Sequence, residues 1–394
     1  MMAIRKLVED IHSVGVIDWD RHLFDELIPL PGGTSYNAYF IEGREINVLI
    51  DTVEEHYGEK LLENLNELGV DRIDYIISNH SEQDHSGSIP DVLKRYPEAK
   101  VLTTAKGKDM LEKLLHLDSS KVEVVEDGDT LSLGDRTLRF IETPWVHWPE
   151  TMSTYLVEDQ ILFSCDFFGS HFATSDLFVE DKDEVYKAAK RYYAQIMMPF
   201  RKIITKNLDK VEELELAMIA PSHGPVYQEP EFIFEAYRDW VDGPVKPEVV
   251  IPYISMHGST GELVDYFVDS LMEKGIKVTP FNLRDVELGQ LAMALVDAAV
   301  VVVGSPTVLT TAHPKVSYAV SLANALNPKT KYASIIGSCG WGGNMVDDIV
   351  GSLGKLDLEL FDPVLSKGKG LEDDFAEVDR LSDEIEEKLA GLAD

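Results

Sequence analysis

The stretch His80-Ser81-Glu82-Gln83-Asp84-His85 does most to decide the fold of this 394-residue sequence. It follows an apolar run at 75–78, which is typical of a buried strand that opens into a loop. Four potential metal ligands lie within these six positions, and a loop after a strand can direct several of them at one point. A solvated loop without a ligand is the alternative for this cluster taken by itself.

Three further candidate ligands follow at long spacing. They are His147 in Trp145-Val146-His147-Trp148, Asp166 after the apolar run 160–164, and His223 in Pro221-Ser222-His223-Gly224. A carboxylate directly after a hydrophobic strand is costly unless it is paired or bound to a metal. Taken singly, each histidine fits a hydrogen-bonded loop residue and Asp166 fits a helix cap. The order and spacing of the whole set nevertheless predict a metal site.

The segment Asp242-Gly243-Pro244-Val245-Lys246-Pro247 is the predicted linker between two domains, 1–246 and 247–394, because its prolines and glycine interrupt both helices and central strands. Before it, helical patterns at 57–68 and 89–96 separate short apolar runs, which predicts a sandwich of sheets with helices outside; the runs are 46–50, 75–78, 100–103, 137–141 and 160–164.

After the linker, strands alternate with helices, which predicts right-handed βαβ units and a parallel sheet. The predicted strands are 249–254, 277–283, 299–303 and 332–336, and the predicted helices are 261–274, 288–297, 344–353 and 371–392.

The composition excludes several classes of protein. A net charge of −34 and a pI near 4.6 disfavour binding to nucleic acid or to anionic membranes. The two cysteines, Cys165 and Cys339, exclude a disulfide framework and have no zinc-finger spacing. No signal peptide or membrane span is recognisable, so we expect a cytoplasmic protein.

Three loops after the linker predict a phosphate and ring site. Hydroxyls and glycine at 255–260 stand before a predicted helix, where backbone N–H groups and the helix dipole favour an anion. The pattern is neither GxGxxG nor a Walker loop. Loops that converge at the carboxyl ends of parallel strands can hold the phosphate and the isoalloxazine of a flavin. Singly, the first loop fits a plain helix cap, and Trp341 fits a core residue as well as a wall for an aromatic ring. The expected ligand-binding residues are Ser255, Met256, His257, Gly258, Ser259, Thr260, Ser305, Pro306, Thr307, Ser338, Cys339, Gly340, Trp341, Gly342 and Gly343.

The pattern HxExDH, then a distant His, Asp and His, resembles the metallo-β-lactamase superfamily. Its zinc hydrolases usually carry HxHxDH, and Glu82 stands where they have the second histidine. That substitution is the signature of the flavodiiron subgroup, and added carboxylate favours iron over zinc. The segments Met-x-Gly-Ser-Thr, Gly-Ser-Pro-Thr and Gly-Trp-Gly-Gly of the second half resemble the same family. The resemblance implies an α/β and α+β chain, with an N-terminal metallo-β-lactamase-like αββα sandwich followed by a flavodoxin-like doubly wound parallel sheet.

The resemblance also implies ligands, cofactors and partners. His80, Glu82 and His147 would bind one iron, Asp84 and His223 the other, and Asp166 would bridge them; His85 matches a position that ligates in some members only. His171 and Tyr193 are candidate catalytic pocket residues. FMN would pass electrons to the diiron centre, which would reduce dioxygen to water or nitric oxide to nitrous oxide. No rubredoxin-like CxxC module is present, so we expect a separate electron donor, a rubredoxin-like protein or a reduced deazaflavin. A head-to-tail homodimer, or a dimer of such dimers, is the expected assembly.

Two other functions remain open from the residues. One is a two-zinc hydrolase with a flavodoxin-like accessory domain, since zinc hydroxide chemistry uses the same scaffold. The other is an electron carrier in which only the flavodoxin half works. Glu82 and the three flavin loops disfavour the first, and the complete ligand set disfavours the second.

Overall fold

The computed structural model describes residues 4–24 and 26–392, which divide into two compact units. The first unit comprises the chain up to Tyr193 together with Phe200–Val241. The second comprises Ala194–Pro199 and the chain from Asp242 onward.

Short strands and three-turn helices build the first unit. Its strands are β1 (Arg5–Val8), β2 (Ile11–Ser13), β3 (Val16–Asp18), β4 (Leu23–Phe24), β5 (Ile28–Pro29), β6 (Thr34–Tyr36), β7 (Tyr39–Ile41), β8 (Val48–Ile50), β9 (Tyr75–Ile77), β10 (Lys100–Thr103), β11 (Val122–Val124), β12 (Thr130–Ser132), β13 (Thr137–Glu142), β14 (Met152–Leu156), β15 (Ile161–Cys165) and β16 (Met218–Pro221). Its α-helices are α1 (Gly58–Glu67), α2 (Gln83–Ser86), α3 (Ile89–Arg95), α4 (Ala105–Leu114), α5 (Lys182–Tyr192), α6 (Arg201–Glu212) and α7 (Pro230–Val241).

Two sheets face each other in this unit, with strand orders β1-β2-β7-β8-β9-β10-β11 and β12-β13-β14-β15-β16. Successive side chains along the strands of the first sheet point to opposite faces, so each strand contributes to two hydrophobic cores. Ile50 and Ile77 pack against Phe140 and Phe163 of the second sheet. Their neighbours Leu49 and Ile76 point the other way, into a core that includes Leu61 of α1, Val92 of α3 and Leu111 of α4. Period-two burial therefore places a helical layer outside the first sheet.

The crossover between β15 and β16 supplies the second helical layer. These two strands are parallel neighbours, and α5 and α6 lie between them in the chain. The inner face of their sheet is already covered by the first sheet, so the crossover helices cover its outer face. The unit is thus an αββα sandwich of the metallo-β-lactamase type.

The second unit alternates strands and helices, as its apolar rhythm predicts. Its strands are β17 (Lys246–Tyr253), β18 (Lys277–Asn282), β19 (Ala298–Val308), β20 (Thr311–Ala312), β21 (Tyr332–Cys339), β22 (Glu359–Leu360) and β23 (Val364–Lys367). Its helices are α8 (Ser259–Glu273), α9 (Leu288–Asp297), α10 (Pro314–Leu326), α11 (Met345–Ser352) and α12 (Glu372–Ala390).

The parallel sheet of this unit has the order β18-β17-β19-β21, continued by β22 and β23 on β21. α8 and α12 cover one face through Phe267 and Leu381, whereas α9, α10 and α11 cover the other through Leu291, Val316 and Ile349. This is the doubly wound flavodoxin-like order. From β17 the sheet is extended first to one side, by β18, and then to the other side, by β19 and β21, so the switch point lies between β17 and β19.

The linker is shorter than the sequence predicts. Strand β17 begins at Lys246, so Pro247 is its second residue, and the pairing of β17 with β19 is irregular between Lys246 and Val249. A proline is tolerated at such a strand start because no ladder bond is needed there. Among residues 4–24 and 26–392, none of the helices combines the length and the apolar character that crossing a bilayer requires.

Candidate metal centre and ligand cavity

The seven predicted metal ligands converge beyond the carboxyl ends of four strands. Four of them follow β9, two on the loop and two on the single-turn helix α2. The other three are His147 after β13, Asp166 after β15 and His223 after β16. All seven side chains are buried or nearly so. Two sheets therefore each contribute ligands to one end of the sandwich.

The first ligand group is His80, Glu82, His147 and Asp166, whose ligand atoms lie within 4.8 Å of one another. Glu82 Oε2 is 3.0 Å from His80 Nε2 and 3.1 Å from His147 Nε2. Asp166 Oδ2 is 3.4 Å from each of the same two nitrogens. Two imidazoles and two carboxylates thus point at a common centre.

The second ligand group is Asp84, His85 and His223. Asp84 Oδ1 is 3.3 Å from His85 Nε2, and Asp84 Oδ2 is 3.2 Å from His223 Nε2. Here Asp166 presents its other oxygen, since Oδ1 is 3.0 Å from His85 Nε2 and 3.4 Å from His223 Nε2. Asp166 therefore turns one oxygen toward each group, and His85 stands with the second.

Unsatisfied polar atoms support a metal at both positions. Both carboxylate oxygens of Asp84 and of Asp166 are buried without a hydrogen-bond partner, and so are both ring nitrogens of His85. Buried polar atoms normally have partners, so a set of orphaned oxygens and nitrogens that face each other is the donor arrangement of a cation site.

The electrostatics show how strongly these groups interact. Burial alone would lower the pKa of His80, but its hydrogen bonds with Glu150 and Glu82 raise that pKa to about 10. Burial would also lower the pKa of His147, but its hydrogen bonds with Asp166 and Glu82 outweigh burial and raise that pKa to about 10. Burial would raise the pKa of Asp166, but the surrounding histidines, His85 first, hold it well below its usual range. Carboxylates and imidazoles of the site therefore stabilise each other's charged forms, and a cation at the centre would take over the role of the histidine protons.

His171 lies beside the second group. Its ring centroid is 4.6 Å from that of His223, 4.8 Å from Tyr192 and 4.7 Å from Phe24. Its Nδ1 is 2.9 Å from Thr34 Oγ1, whereas its Nε2 is buried without a partner. Burial, followed by the charge of His223, lowers the pKa of His171 well below its usual value. The structure thus places a neutral imidazole with one unused nitrogen next to the ligand groups.

The tyrosine that faces the ligand groups is Tyr192. The predicted pocket residue, Tyr193, donates its hydroxyl to the backbone carbonyl of Trp240 at 3.1 Å and packs among aromatic rings away from the ligands. Tyr192 ends α5 with its ring 5.9 Å from that of His223, and burial and the charge of Asp166 raise its pKa well above the usual value. Neighbouring helical residues point about 100° apart, so only one of the pair can face the site.

A cavity of about 210 Å³ occupies the carboxyl end of the second unit's sheet. Of the expected ligand-binding residues, those that line it are Ser255, Met256, His257, Ser259, Thr260, Pro306, Thr307, Ser338, Cys339 and Gly340. Gly258 precedes α8 at φ +96° and offers no side-chain cap, and Ser255 Oγ accepts from the N–H of Gly261 at 3.1 Å, so the N–H groups of Ser259 and Thr260 are the ones left for a ligand. Gly368 also lines the cavity and was not expected from the sequence.

Four expected residues have other places. Trp341 is 78% exposed and does not line the cavity. Ser305 is fully buried, where its hydroxyl donates to the carbonyl of Pro306 and accepts from the N–H of His313. Gly342 and Gly343 form the turn after β21, both with positive φ. The strands β19 and β21 run farther than predicted, so part of each expected loop is strand.

Fold and site together define a class. A metallo-β-lactamase-like unit with two adjoining ligand groups, joined to a flavodoxin-like unit with an open cavity, is the architecture of a two-metal flavoprotein.

Comparison with known proteins agrees. A family model described as ODP family beta lactamase matches residues 34–224. The nitric oxide reductase of Moorella thermoacetica is 37% identical over 345 residues, which cover 86% of this chain and 86% of that protein. The solved rubredoxin oxygen:oxidoreductase of Desulfovibrio gigas is 29% identical with a TM-score of 0.95, covering 99% of this chain and 100% of that one. The flavodiiron protein of Giardia intestinalis is 26% identical with a TM-score of 0.91, covering 100% and 98%. The chain belongs to the flavodiiron protein family.

Proposed function

We propose that this protein is an oxidoreductase that passes electrons from FMN in the second unit to a diiron centre in the first, and that dioxygen or nitric oxide is the substrate. The observation that carries the proposal is the double role of Asp166, which turns Oδ2 toward one ligand group and Oδ1 toward the other. The names of the relatives, a nitric oxide reductase and an oxygen oxidoreductase, support both substrates.

The donor set fits two iron ions. His80, Glu82 and His147 would hold one, and Asp84, His223 and His85 the other, with Asp166 shared. Three carboxylates among four imidazoles suit iron better than an imidazole-only set, which suits zinc. When bound, the metal pair supplies the redox chemistry and the binding position for a diatomic substrate.

The surrounding residues would hold the substrate and keep water out. Thr34 Oγ1 lies 2.9 Å from His171 Nδ1, and His223 Nδ1 donates instead to the backbone carbonyl of Ser35 at 2.6 Å. The other contacts of Thr34 Oγ1, with the carbonyl of Ser35 and with His223 Nδ1, are longer at 3.4 Å. If Thr34 donates its proton to the nearer His171 Nδ1, the proton of His171 is on Nε2. Nε2 has no other partner, so it can donate a hydrogen bond to a bound oxygen atom. Phe24 and Tyr192 cover the same imidazole and exclude solvent from it.

The cavity of the second unit would hold FMN. The open N-terminus of α8, with Ser259 and Thr260, would bind the phosphate. Thr260 Oγ1 is fixed 2.8 Å from Ser338 Oγ, so the phosphate loop and the ring loop are held together. The loops after β19 and β21 would hold the isoalloxazine.

Membership of the family supports proposals for the electron donor and for the assembly. A rubredoxin is the first candidate donor because the Desulfovibrio gigas relative is named for it. A reduced deazaflavin is the other. A head-to-tail homodimer, or a pair of such dimers, would bring the FMN of one subunit to the irons of another. A monomer with full activity would contradict that arrangement.

Elemental analysis and flavin release on anaerobically purified protein test the proposal. We expect about two irons and one FMN per chain, as for a two-metal flavoprotein, and consumption of dioxygen or nitric oxide on reduction of the flavin. Two zinc ions with no iron after iron-replete expression would replace this function with hydrolysis. FMN without metal would indicate an electron carrier.

A further inference from the structure

Glu150 stands directly behind one of the predicted iron ligands. It is 2% exposed, and its Oε1 lies 2.7 Å from His80 Nδ1. The same oxygen accepts a 3.0 Å hydrogen bond from the N–H of Ser81. The other ring nitrogen of His80, Nε2, faces Glu82 and Asp166. The imidazole therefore lies between a buried carboxylate and the metal position.

This contact fixes which nitrogen of His80 carries the proton. An ionised carboxylate can only accept hydrogen bonds, so Nδ1 must donate to Glu150, and a metal would take the place of the proton on Nε2 that otherwise faces Glu82. A carboxylate in that position also holds the ring in place and makes the ligating nitrogen more basic.

Burial of the Glu150 carboxylate is energetically unfavourable. The second oxygen, Glu150 Oε2, is buried without a hydrogen-bond partner. A neutral carboxamide of the same shape would be cheaper to bury than a half-satisfied carboxylate. The backbone is held independently, since the carbonyl of Glu150 accepts from Thr104 Oγ1 at 2.9 Å, and Thr104 also caps α4. Packing alone thus does not require an acid here.

In the second ligand group the corresponding histidine has a neutral acceptor, and the buried carboxylate of Asp51 acts on this group through the charge of His85, without a hydrogen bond to a ligand ring in the described part of the chain. His223 Nδ1 donates to the neutral backbone carbonyl of Ser35 at 2.6 Å, while its Nε2 faces Asp84 and Asp166. The two groups therefore share Asp166 and differ in the acceptor behind the histidine. A buried anion stabilises the more positive oxidation state of a nearby metal, so Glu150, in direct contact with a ligand ring, acts first on the position beside His80.

We propose that Glu150 is a positioning residue that orients His80 and lowers the reduction potential of the metal position formed by His80, Glu82 and His147. The proposal rests on the diiron function proposed above. With iron bound, Glu150 would thereby make the position beside His80 the harder of the two to reduce.

The test compares Glu150→Gln with Thr104→Val in the full-length, iron-loaded protein. Glu150→Gln removes the charge and keeps the shape, whereas Thr104→Val removes the bond to the Glu150 backbone and keeps the charge. Mediated redox titration followed by electron paramagnetic resonance gives the potential of each one-electron step, and competition with a chelator gives iron affinity. We expect Glu150→Gln to weaken iron binding roughly 10- to 100-fold. A tenfold change in the preference for ferric over ferrous ion would raise the potential of the second step by about 59 mV. Thr104→Val should lower the melting temperature and leave both potentials unchanged.

Two outcomes overturn the proposal. One is a Glu150→Gln protein whose potentials and iron affinity match the wild type. The other is an equal shift in both variants, which would indicate a structural effect only. If Glu150→Gln does not fold, Glu150→Asp replaces it: the shorter side chain keeps the charge but cannot keep the 2.7 Å contact, so iron affinity should fall, and unchanged affinity would refute the role. Wild-type protein without two redox-active irons would instead defeat the diiron function itself.

Discussion

The turn after β21 allows a matched test of the flavin cavity. Gly342 and Gly343 are adjacent, with φ of +111° and +155°. A Cβ added at Gly342 would meet nothing within 4 Å, whereas one added at Gly343 would lie 2.6 Å from both Thr310 O and Thr307 Cγ2. The variants Gly342→Ala and Gly343→Ala therefore share backbone strain and differ in steric overlap.

The size of the difference can be worked from these contacts. Each alanine in a backbone region that suits glycine costs about 1–3 kcal/mol. Only Gly343→Ala adds overlap, and the obstructing carbonyl cannot easily move because Thr310 O accepts a 2.7 Å hydrogen bond from the N–H of Asn344. Overpacking of this kind costs about 1–3 kcal/mol more. Relief requires a shift of the turn or of the neighbouring strand end, and both contribute cavity residues, Gly340 and Thr307. If that cost falls on the bound state, FMN binds roughly 5- to 150-fold more weakly to Gly343→Ala than to Gly342→Ala.

Titration of flavin-free protein with FMN, followed by quenching of flavin fluorescence, measures the two affinities. Thermal unfolding of the flavin-free variants measures the part of the strain that falls on the unbound protein. Equal affinities and equal unfolding temperatures would show that the packing of Gly343 on Thr310 does not shape the cavity, and the reasoning would be wrong.

Other predictions concern the metal centre. Asp166→Asn should lower the metal content below two per chain because one anionic oxygen is lost; retention of both irons with full activity would exclude a bridging role. Tyr193→Phe should cost about 1 kcal/mol of stability through its lost hydrogen bond to Trp240, with turnover per iron unchanged, whereas Tyr192→Phe should lower turnover more than stability, as steady-state gas consumption and urea unfolding would reveal. His171→Asn should lower turnover with one or both gases while iron content stays at the wild-type level; equal turnover with both would exclude the role assigned to Nε2.

Most of the fold follows from apolar periodicity in the sequence. The runs at 100–103 and the helix at 288–297 have the predicted bounds, because turn residues stand at their ends. The sequence predicts β19 as 299–303, but the strand extends to Val308. Ser305 and Pro306 pair with Gly337 and Ser338 of β21, and the buried hydroxyl of Ser305 donates to the carbonyl of Pro306. Pairing across the sheet decided that extension, and a single strand's composition does not contain it. The helix α10 was not predicted, because its apolar and small residues lack a strong single face.

The site was predictable where the chemistry needs a rare residue in an unusual place. Histidines and acids at strand ends stand out, so the ligand candidates could be named from the sequence. Thr34, Tyr192 and Glu150 belong to the site only because the fold brings them close to residues that are distant in the sequence. Their residue types are ordinary in their segments, so the sequence does not single them out. Glu150 lies only three positions after His147, yet its partner is His80, 70 positions away in the chain. Long-range pairing of this kind requires the two sheets to be placed against each other first.

The charges of the site bear on which metals it can hold. Glu82, Asp84, Asp166 and Glu150 are four carboxylates around the two ligand groups, and they would balance two divalent cations. Zinc satisfies that sum as well as ferrous iron, so charge balance alone does not choose between hydrolysis and electron transfer. Two features do separate them. Of the residues that belong to the first group alone, His80 and His147 suit zinc, but Glu82 adds a hard anionic oxygen that stabilises a ferric ion. The cavity of the second unit would hold the proposed flavin, a source of electrons which a hydrolase does not need. A reduction potential set by Glu150 matters only for metals that change oxidation state, and for that reason the potential measured after Glu150→Gln also bears on the function of the whole protein.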